Sequence, residues 1–288
     1  TGGISDFNVF CPAQYFFVGQ EINGSKKMAE SWTFIFSAFR VCESCCNPFS
    51  CMADRAYKKK QPGGFGFMCR TILTLLPIIG LVGSNNLSTA IIILGIGGIL
   101  IFVSNPGYLE FIGLGSAGAG FIAVFLAAES YRLERLAIWR NPEKYEKGFQ
   151  TIQGLYAIGS GGIFGRGFGN SLQKLGFVPE AQNDMIFSII CEEMGAAGAI
   201  FLIFLFTMLL WRLGVAAMHA KDLAGALICC GIMGHLALQV ILNIAVVTNT
   251  IPNTGITLPF ISYGGTSAVF LLGEMGLAMN VGKCDRIN

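Results

Sequence analysis

Residues 186–211 read IFSIICEEMGAAGAIFLIFLFTMLLW, and Glu192 and Glu193 are the only charged side chains among them. A bilayer has a hydrocarbon core about 30 Å thick, which a helix of about 20 apolar residues crosses. The apolar residues here form one continuous run and do not recur at amphipathic spacing. This stretch therefore predicts a transmembrane helix.

Similar apolar runs occur along much of the chain. Of its 288 residues, 53% are hydrophobic and 12% are charged, whereas a soluble domain carries about 25% charged residues. Segments this long and continuous favour helices over barrel strands. We predict an all-α, polytopic membrane protein with six clear transmembrane helices and one degraded one. The six are Thr71–Val82, Leu87–Val103, Leu109–Ala128, Ile186–Trp211, Leu223–Val247 and Phe260–Val281, and the degraded one is Trp32–Met52.

Positive charges at the ends of these runs predict the orientation, because Lys and Arg stay on the cytoplasmic side. Threading six spans places three basic groups on one side: Arg55 to Arg70, Arg212 with Lys221, and Lys283 with Arg286. The long connection 129–184 then lies on the extracytoplasmic side, although it carries seven basic residues. Loops approaching about 60 residues follow the charge rule poorly, and a basic outer loop favours an anionic ligand. The net charge of +2 gives no support to a nucleic-acid partner.

The outer connection contains a glycine-rich segment, GSGGIFGRGFG at residues 159–169. A dinucleotide-binding turn is disfavoured, because no buried strand precedes it. Two interpretations remain. The segment is either a tight re-entrant or interfacial turn that needs glycine for backbone freedom, or a backbone that approaches a diphosphate closely.

Two acidic positions near the predicted helix 186–211 are candidates for chemistry. Asp184 stands where it can cap the N-terminus of that helix, which is a common role for Asp. Glu192 lies about 12 Å further along a helix that starts at Asp184. Acids at such depth are costly in lipid and are functional candidates, facing a polar cavity or an Arg or Lys partner.

A polar set is also present in the run 223–247. His235, Gln239 and Asn243 are spaced at four residues and so lie near one helical face. We favour a structural polar pairing between helices over a proton relay. Cys191, Cys229 and Cys230, which also lie in apolar runs, are interpreted as small buried hydrophobic residues.

Five segments together resemble one family in composition and order. They are YRLER at 131–135, GGIFGRGFG at 161–169, PEAQNDMIF at 179–187, EEMG at 192–195, and PNTG at 252–255 with LPFISYGGTS at 258–267. These segments resemble the SEDS family, the shape, elongation, division and sporulation proteins, from about Leu87 to the C-terminus. The chain has Asn183 and Met185 where the family usually has Thr and Phe, which roughly keeps size and polarity.

The resemblance implies a peptidoglycan glycosyltransferase of the bacterial cell membrane that polymerises lipid II and works with a class B penicillin-binding protein. It implies that Asp184 is the essential acid, acting as a general base. Counter-charge for the leaving diphosphate is then expected from basic residues, with a divalent cation, Mg²⁺ or Mn²⁺, as a further candidate. Alternatives are a lipid II flippase, for which Glu192 and Glu193 are the relevant pair, and an inactive scaffold for the penicillin-binding protein. The substrate-binding candidates are Arg132, Arg135, Arg166, Lys174, Glu192, Ser262 and Tyr263.

The N-terminal part departs from the family pattern. The family has about ten spans, so the chain is expected to be a fragment, and where the family has QPSEFAK, residues 37–44 read SAFRVCES. When residues 37–44 are back-translated and read one nucleotide later, they give QPSEFAK. Residues 28–36, read in the same way, extend NGSKK at 23–27 to NGSKKWLRVG. We interpret 28–50 as a shifted-frame segment, which also explains its cysteines. A structural zinc site is disfavoured, because it would need two well-spaced pairs of ligand residues and no such pattern is visible.

The shifted-frame hypothesis predicts a one-nucleotide change near Lys27 and a compensating one near Ser50. Resequencing the locus checks it. An uninterrupted frame, with peptides spanning Arg40 to Cys46 detected by mass spectrometry, contradicts a sequencing error as the cause.

Overall fold

The computed structural model describes residues 87–104, 130–221 and 223–283, with isolated positions at 79, 112, 115, 116, 118 and 120. The degraded run 32–52 and the shifted-frame segment lie outside these residues. The run 71–82 is described only at Ile79, and the run 109–128 only at the isolated positions.

Within this part, the chain forms α-helices and short 3-10 helices without any strand, which confirms the all-helical prediction there. The α-helices are α1 (Leu87–Ser104), α2 (Ser130–Arg140), α3 (Phe149–Gly161), α4 (Ile186–Met218), α5 (Leu223–Val247) and α6 (Gly265–Lys283). The 3-10 helices are Pro142–Lys144, Glu146–Gly148 and Gln173–Leu175.

The apolar runs predict some helix bounds better than others. Helices α1 and α5 follow their runs, and α4 begins at the expected residue but continues to Met218. Helix α6 begins at Gly265, five residues later than predicted, because Phe260 has a left-handed φ of 61° and the chain turns there. The connection 129–184 holds helices α2 and α3.

Two described helices are long and apolar enough to cross a membrane, Ile186–Met218 and Gly225–Val247, and a shorter apolar stretch, Ser88–Leu100, lies in α1. Helix α4 leaves large side chains uncovered, among them Ile200, Phe201 and Trp211. A continuous exposed apolar face of this kind is typical of contact with lipid. The described helices thus have the character of a membrane protein.

The buried side chains form two clusters, and each lies at a different level along α4 and α5. The first joins α1, α5, α6 and the end of α4, and includes Ile93, Leu213 and Leu236. The second surrounds the start of α4 and includes Val178, Met185, Phe187, Cys191, Val240, Val247 and Leu258. The second cluster contains Val178, which precedes Asp184 in the chain, and Met185, which follows it. The backbone at Asp184 is therefore fixed to a packed core.

Helix α4 is interrupted at Gly195, which has φ 69° and ψ −169°. In a regular helix, the amides of Ala196 and Ala197 would donate to the carbonyls four residues earlier. Here they donate instead to the carbonyls of Gly162 and Ile163, at 2.9 and 3.0 Å.

The two carbonyls left open at this interruption belong to Glu192 and Glu193. They accept the backbone amides of Arg166 and Gly167, at 2.9 and 3.0 Å. Residues 162–167 therefore insert into the hydrogen-bond ladder of α4, and these four amides and four carbonyls are all paired.

This insertion explains why glycine is needed both at Gly165 in the inserted loop and at Gly195 in α4. A Cβ on Gly195 would lie 2.4 Å from Gly165 N, and a Cβ on Gly165 would lie 2.1 Å from Glu193 O. The expectation of a tight turn that needs glycine backbone freedom is confirmed. The chain before it is helix α3, so no strand precedes it among the described residues.

The three cysteines of the described helices, Cys191, Cys229 and Cys230, are buried and form no disulfide. Cys191 belongs to the second cluster, and the other two belong to the first. Their interpretation as small buried hydrophobic residues is confirmed.

Candidate active site

Asp184 lies two residues before α4 and is only 9% exposed. The N-cap position belongs to Met185, which makes no side-chain capping hydrogen bond. Asp184 itself stands one residue before that cap. The buried amide of Asn243, on α5, donates to the backbone carbonyl of Asp184 at 2.8 Å and to that of Ile256 at 2.7 Å.

The carboxylate of Asp184 is held by an amide chain that crosses the site. Gln150, on α3, donates from Nε2 to Asp184 Oδ1 at 3.4 Å and to the carbonyl of Pro179 at 3.3 Å. The Oε1 atom of Gln150 accepts from Asn253 Nδ2 at 3.2 Å. Arg135 in turn donates from Nη1 to the backbone carbonyl of Asn253 at 3.2 Å. Arg135, Asn253 and Gln150, from three other segments, thus form a chain of contacts that ends at this carboxylate.

The segment just before Asp184 is held by the motif LPFISYGGTS at residues 258–267. The Ser262 hydroxyl donates to the carbonyl of Asn183 at 2.6 Å and accepts the amide of Leu258 at 2.7 Å. The amide of Tyr263 donates to the carbonyl of Gln182 at 2.8 Å. Ser262 therefore acts on the backbone that carries Asp184, and the Tyr263 side chain, 75% exposed, lines the neighbouring cavity.

A cavity of about 610 Å³ opens beside Asp184. This volume lies within the range of about 300–1,000 Å³ that is usual for small-ligand sites. Carboxylate, amide, hydroxyl and imidazole groups from α1, α5, α6 and the connecting segments line it. They include Ser88, Thr89, Glu180, Asp184, His235, Gln239, Thr254, Tyr263 and Glu274.

His235 and Glu274 form a buried pair that joins α5 to α6 across this cavity. The Nδ1 atom of His235 lies 3.1 Å from both carboxylate oxygens of Glu274. Since an ionised carboxylate only accepts, Nδ1 carries the shared proton when Glu274 is ionised. The predicted polar pairing between helices is confirmed at His235, and its partner is an acid that the sequence pattern had not singled out.

The described basic residues that were predicted to bind substrate do not line the cavity of Asp184. Arg166 and Lys174 pair with acids of α4, at 3.4 Å to Glu192 and 2.7 Å to Glu193. Arg135 contacts Asn253, and the side chain of Arg132 lies outside the described part. Among the described residues, no Arg or Lys lines the cavity of Asp184.

The two acids anchor the outer loop to α4. Glu192 is 1% exposed, and its carboxylate accepts a hydrogen bond from the Ser171 hydroxyl. It also accepts the backbone amides of Leu172 and Gln173, each at 3.3 Å. With Arg166 included, Glu192 has four donors. These contacts of Glu192, together with the pair of Lys174 and Glu193, form what we call the loop anchor. They agree with the prediction of an Arg or Lys partner for Glu192 and fix the loop between α3 and α4.

Several residues of the site were not predicted from sequence. Gln150 and Glu274 carry no local signal, because an isolated amide or acid in a helix or a loop usually faces solvent. Asn253 lies in the PNTG segment at 252–255, but its contact with Gln150 was not predicted. Asn243 lay in the polar set of α5, but its two backbone acceptors come from segments 13 and 59 residues away. Only the folded chain identifies these partners.

Comparison with known proteins gives a consistent result. The model of the FtsW/RodA/SpoVE cell cycle protein family matches residues 17–287. Stage V sporulation protein E of Bacillus subtilis is 43% identical over 204 residues, which are 70% of this chain and 56% of that protein. A probable peptidoglycan glycosyltransferase FtsW of Saccharophagus degradans is 34% identical over 270 residues, covering 92% of this chain and 70% of that protein. The chain thus spans little more than half of the first relative.

Solved structures support the fold. A chain from work on the structural coordination of polymerization and crosslinking by a peptidoglycan synthase complex superposes with a TM-score of 0.63 at 19% identity, covering 100% of this chain and 99% of that one. The rod shape determining protein RodA of Thermus thermophilus gives 0.58 at 22% identity, covering 98% and 77%. At these identities the likeness concerns the arrangement of helices alone.

Proposed function

This chain belongs to the FtsW/RodA/SpoVE family of cell cycle proteins, the SEDS family, and from that premise we propose that it is a peptidoglycan glycosyltransferase that polymerises lipid II. One observation carries the proposal. Asp184 is a nearly buried carboxylate on the wall of a polar cavity of ligand size, oriented by Gln150 and fixed through its backbone by Asn243. A carboxylate held in this way is suited to take a proton from a bound hydroxyl.

The proposed reaction is a single displacement without a covalent enzyme intermediate. The 4-hydroxyl oxygen of the acceptor sugar forms a bond to the anomeric carbon of the donor. The bond from that carbon to the lipid diphosphate breaks, and the diphosphate leaves with the electron pair. Asp184 accepts the hydroxyl proton, and the fixed orientation of its carboxylate lowers the entropic cost of reaching the reactive geometry.

The leaving diphosphate needs counter-charge. Arg132, Arg135, Arg166 and Lys174 remain our proposed sources, although Arg166 and Lys174 are engaged in the loop anchor. The described residues bring together no group of three His, Cys, Asp or Glu side chains that could hold a metal ion. These residues do not form a protein-only site for Mg²⁺ or Mn²⁺, and the reaction above contains no step through a cation.

The proposed setting is the bacterial cell membrane, with a multi-pass chain whose six spans leave 129–184 on the outer side. Helices α2 and α3 and the loop anchor then lie outside or at the membrane surface, where lipid-linked sugars are presented. A class B penicillin-binding protein is the proposed partner. The flippase alternative depends on Glu192 and Glu193, whose carboxylates are engaged by the outer loop.

Purified protein in detergent, supplied with lipid II, tests the function directly. Glycan strands that lengthen with time support it. Movement of lipid II across a vesicle membrane without any polymer formation contradicts it and favours a flippase.

Gln150 provides a more specific prediction about the orientation of Asp184. Gln150→Glu places a second carboxylate within reach of Asp184, and the like charge opposes ionisation of the base. We expect the acid side of the pH–rate profile to move to higher pH by roughly one unit. Gln150→Ala should lower kcat more than it raises KM, because it removes orientation and leaves the sugar contacts intact.

The matched control is Gln153→Ala. Gln153 lies on the same helix, and the described residues give its side chain no hydrogen-bond partner. Its pH profile should be unchanged. If Gln150→Glu keeps the wild-type pH profile, Gln150 does not act on Asp184.

A further inference from the structure

We propose that Asn253 is a positioning residue that determines which end of the Gln150 amide faces Asp184. The carboxylate of Asp184 accepts a hydrogen bond from Gln150 Nε2 at 3.4 Å. The oxygen and nitrogen ends of a glutamine amide have nearly the same shape, so shape alone does not decide whether a donor or an acceptor faces the acid. The inference rests on the proposed function and deepens it, because it concerns what keeps the proposed base ionised.

The direction of the amide chain begins at a backbone group. The amide of Gly255 donates to Asn253 Oδ1 at 3.0 Å. A backbone N–H can only donate, so Asn253 presents its oxygen to Gly255 and its Nδ2 atom on the other side. That Nδ2 atom donates to Gln150 Oε1 at 3.2 Å. Because Oε1 is occupied in this way, Gln150 presents Nε2 to Asp184. The direction of the whole chain thus follows from one amide that cannot reverse.

The turn that carries Asn253 is itself fixed to two helices. Arg135, on α2, donates from Nη1 to the carbonyl of Asn253 at 3.2 Å. The Ser88 hydroxyl, on α1, donates to the next carbonyl of the turn at 3.0 Å. Gly255 has a left-handed φ of 69°, and a Cβ on it would lie 4.0 Å from Asp184 Oδ2. The turn therefore lies against the carboxylate, and the Asn253 side chain is held at both of its polar ends.

The other end of the Gln150 amide gives the same direction. The Nε2 atom also donates to the carbonyl of Pro179 at 3.3 Å, so two acceptors share this NH₂ group. If the amide reversed, its oxygen would face that carbonyl and the carboxylate of Asp184. Its NH₂ group would then face the NH₂ group of Asn253. Reversal would replace each hydrogen bond of the amide by a contact between like groups, and it is opposed at both ends.

The direction of the amide chain affects the ionisation of Asp184. A donor that faces the carboxylate favours its ionised form, whereas an oxygen in the same place opposes it. A general base must be ionised to accept a proton. The other titratable groups around it are Glu180, Tyr263, His235 and Glu274, which line the same cavity, and Arg135 beyond Asn253. These groups are the same in every variant below, so they do not account for a difference between variants.

A role in the turn alone would need only the oxygen of Asn253. Asp has the same shape and keeps that oxygen, so in Asn253→Asp the hydrogen bond from Gly255 remains. The variant offers Gln150 a second oxygen in place of the NH₂ group. Gln150 can pair with this oxygen only by reversing, which turns its own oxygen toward Asp184. Asn253→Asp therefore separates a role in the turn from a role in direction.

The test measures the ionisation of Asp184 by infrared difference spectroscopy on the full chain purified in detergent. The band of the protonated carboxyl group is identified by its loss in Asp184→Asn, and its pH dependence gives a titration midpoint. We expect Asn253→Asp to raise this midpoint by about one pH unit or more, while the midpoint of unfolding stays unchanged. In the polymerisation assay, kcat at neutral pH should fall and KM should change little, because the sugar contacts remain.

A second background separates the added charge from the direction of the amide. Gln150→Met keeps the length of the side chain and removes its amide, so Asn253→Asp then acts through charge alone. We expect the shift in this background to be at most half of that with Gln150 present, which is a double-mutant cycle. Asn249→Asp is the matched control, because it adds the same charge to the same connection and its side chain takes no part in the amide chain. Its titration midpoint should stay near the wild-type value.

A neutral variant, Asn253→Leu, removes both hydrogen bonds of the side chain without adding charge. Pro179 alone then directs Gln150, so we expect a smaller rise of the midpoint in the same direction. Unchanged midpoints in both variants at position 253 overturn the inference and limit Asn253 to the turn. Equal shifts of Asn253→Asp in the two backgrounds also overturn it, since charge alone would then explain them.

The titration and the polymerisation assay fail independently of each other. A larger shift with Gln150 present, in a protein that forms no glycan strands, would support the role of Asn253 and overturn the proposed function. Strand formation by the wild-type protein together with an unchanged titration in the Asn253 variants would leave the proposed function standing and overturn the role of Asn253.

Discussion

Asp184→Asn should reduce lipid II polymerisation by at least about 10²-fold, and we expect residual activity at the limit of detection. A general base contributes about 10²–10⁴-fold, and an amide cannot accept the hydroxyl proton. Asn has nearly the shape of Asp, and its Oδ1 still accepts the hydrogen bond from Gln150. The bond from Asn243 goes to the backbone and is unaffected. The variant should therefore fold and lose the chemistry alone.

The measurement is the rate of glycan strand formation by purified protein at saturating lipid II. Glu143→Gln is the matched control: it also converts an acid to its amide, but at an exposed position of the outer connection. It should retain the wild-type rate. Normal turnover by Asp184→Asn would exclude Asp184 as the base and with it the proposed mechanism.

The second large effect is expected on stability. Glu192→Leu removes the acceptor for the Ser171 hydroxyl and two backbone amides, and it leaves Arg166 without its carboxylate. Leaving a buried hydrogen-bond donor without a partner costs about 1–3 kcal/mol, whereas Arg166, whose side chain is 41% exposed, can be solvated instead. The free energy of unfolding should fall by that amount.

Glu134→Leu is the matched control for this comparison. Glu134 pairs with Lys147 at 3.0 Å, but both side chains are well exposed. An exposed pair contributes about 0–1 kcal/mol, so this variant should unfold near the wild-type midpoint. Chemical unfolding in detergent, followed by circular dichroism, measures both. Equal midpoints for the two variants would show that the loop anchor does not stabilise the fold.

The predictions from sequence succeeded where an interaction is local. The run 223–247 predicted the bounds of α5, because a continuous apolar segment determines a helix without reference to its neighbours. The glycines of 159–169 indicated a tight turn for the same reason. The start of α6 was predicted five residues early, because apolar character does not reveal the left-handed turn at Phe260.

The candidate site was only partly predictable. Asp184 was identified through its motif, and His235 through its spacing on α5. The orientation of Asp184 depends on Gln150, Asn243 and Asn253, and the partner of His235 is 39 residues away. Such pairs have no periodic signature, since they arise from the packing of separate helices.

The sequence by itself determined that the described chain is helical and apolar, where its main helices run, and which acid stands at the start of α4. Apolar content and backbone freedom are properties of short segments, so they can be read without the fold. The tertiary structure alone decided that the outer loop enters the hydrogen-bond ladder of α4 at Gly195, that Arg166 and Lys174 meet Glu192 and Glu193, and that the cavity of Asp184 extends to Glu274. Those features depend on contacts between distant segments, where buried polar groups must find partners that no local pattern specifies.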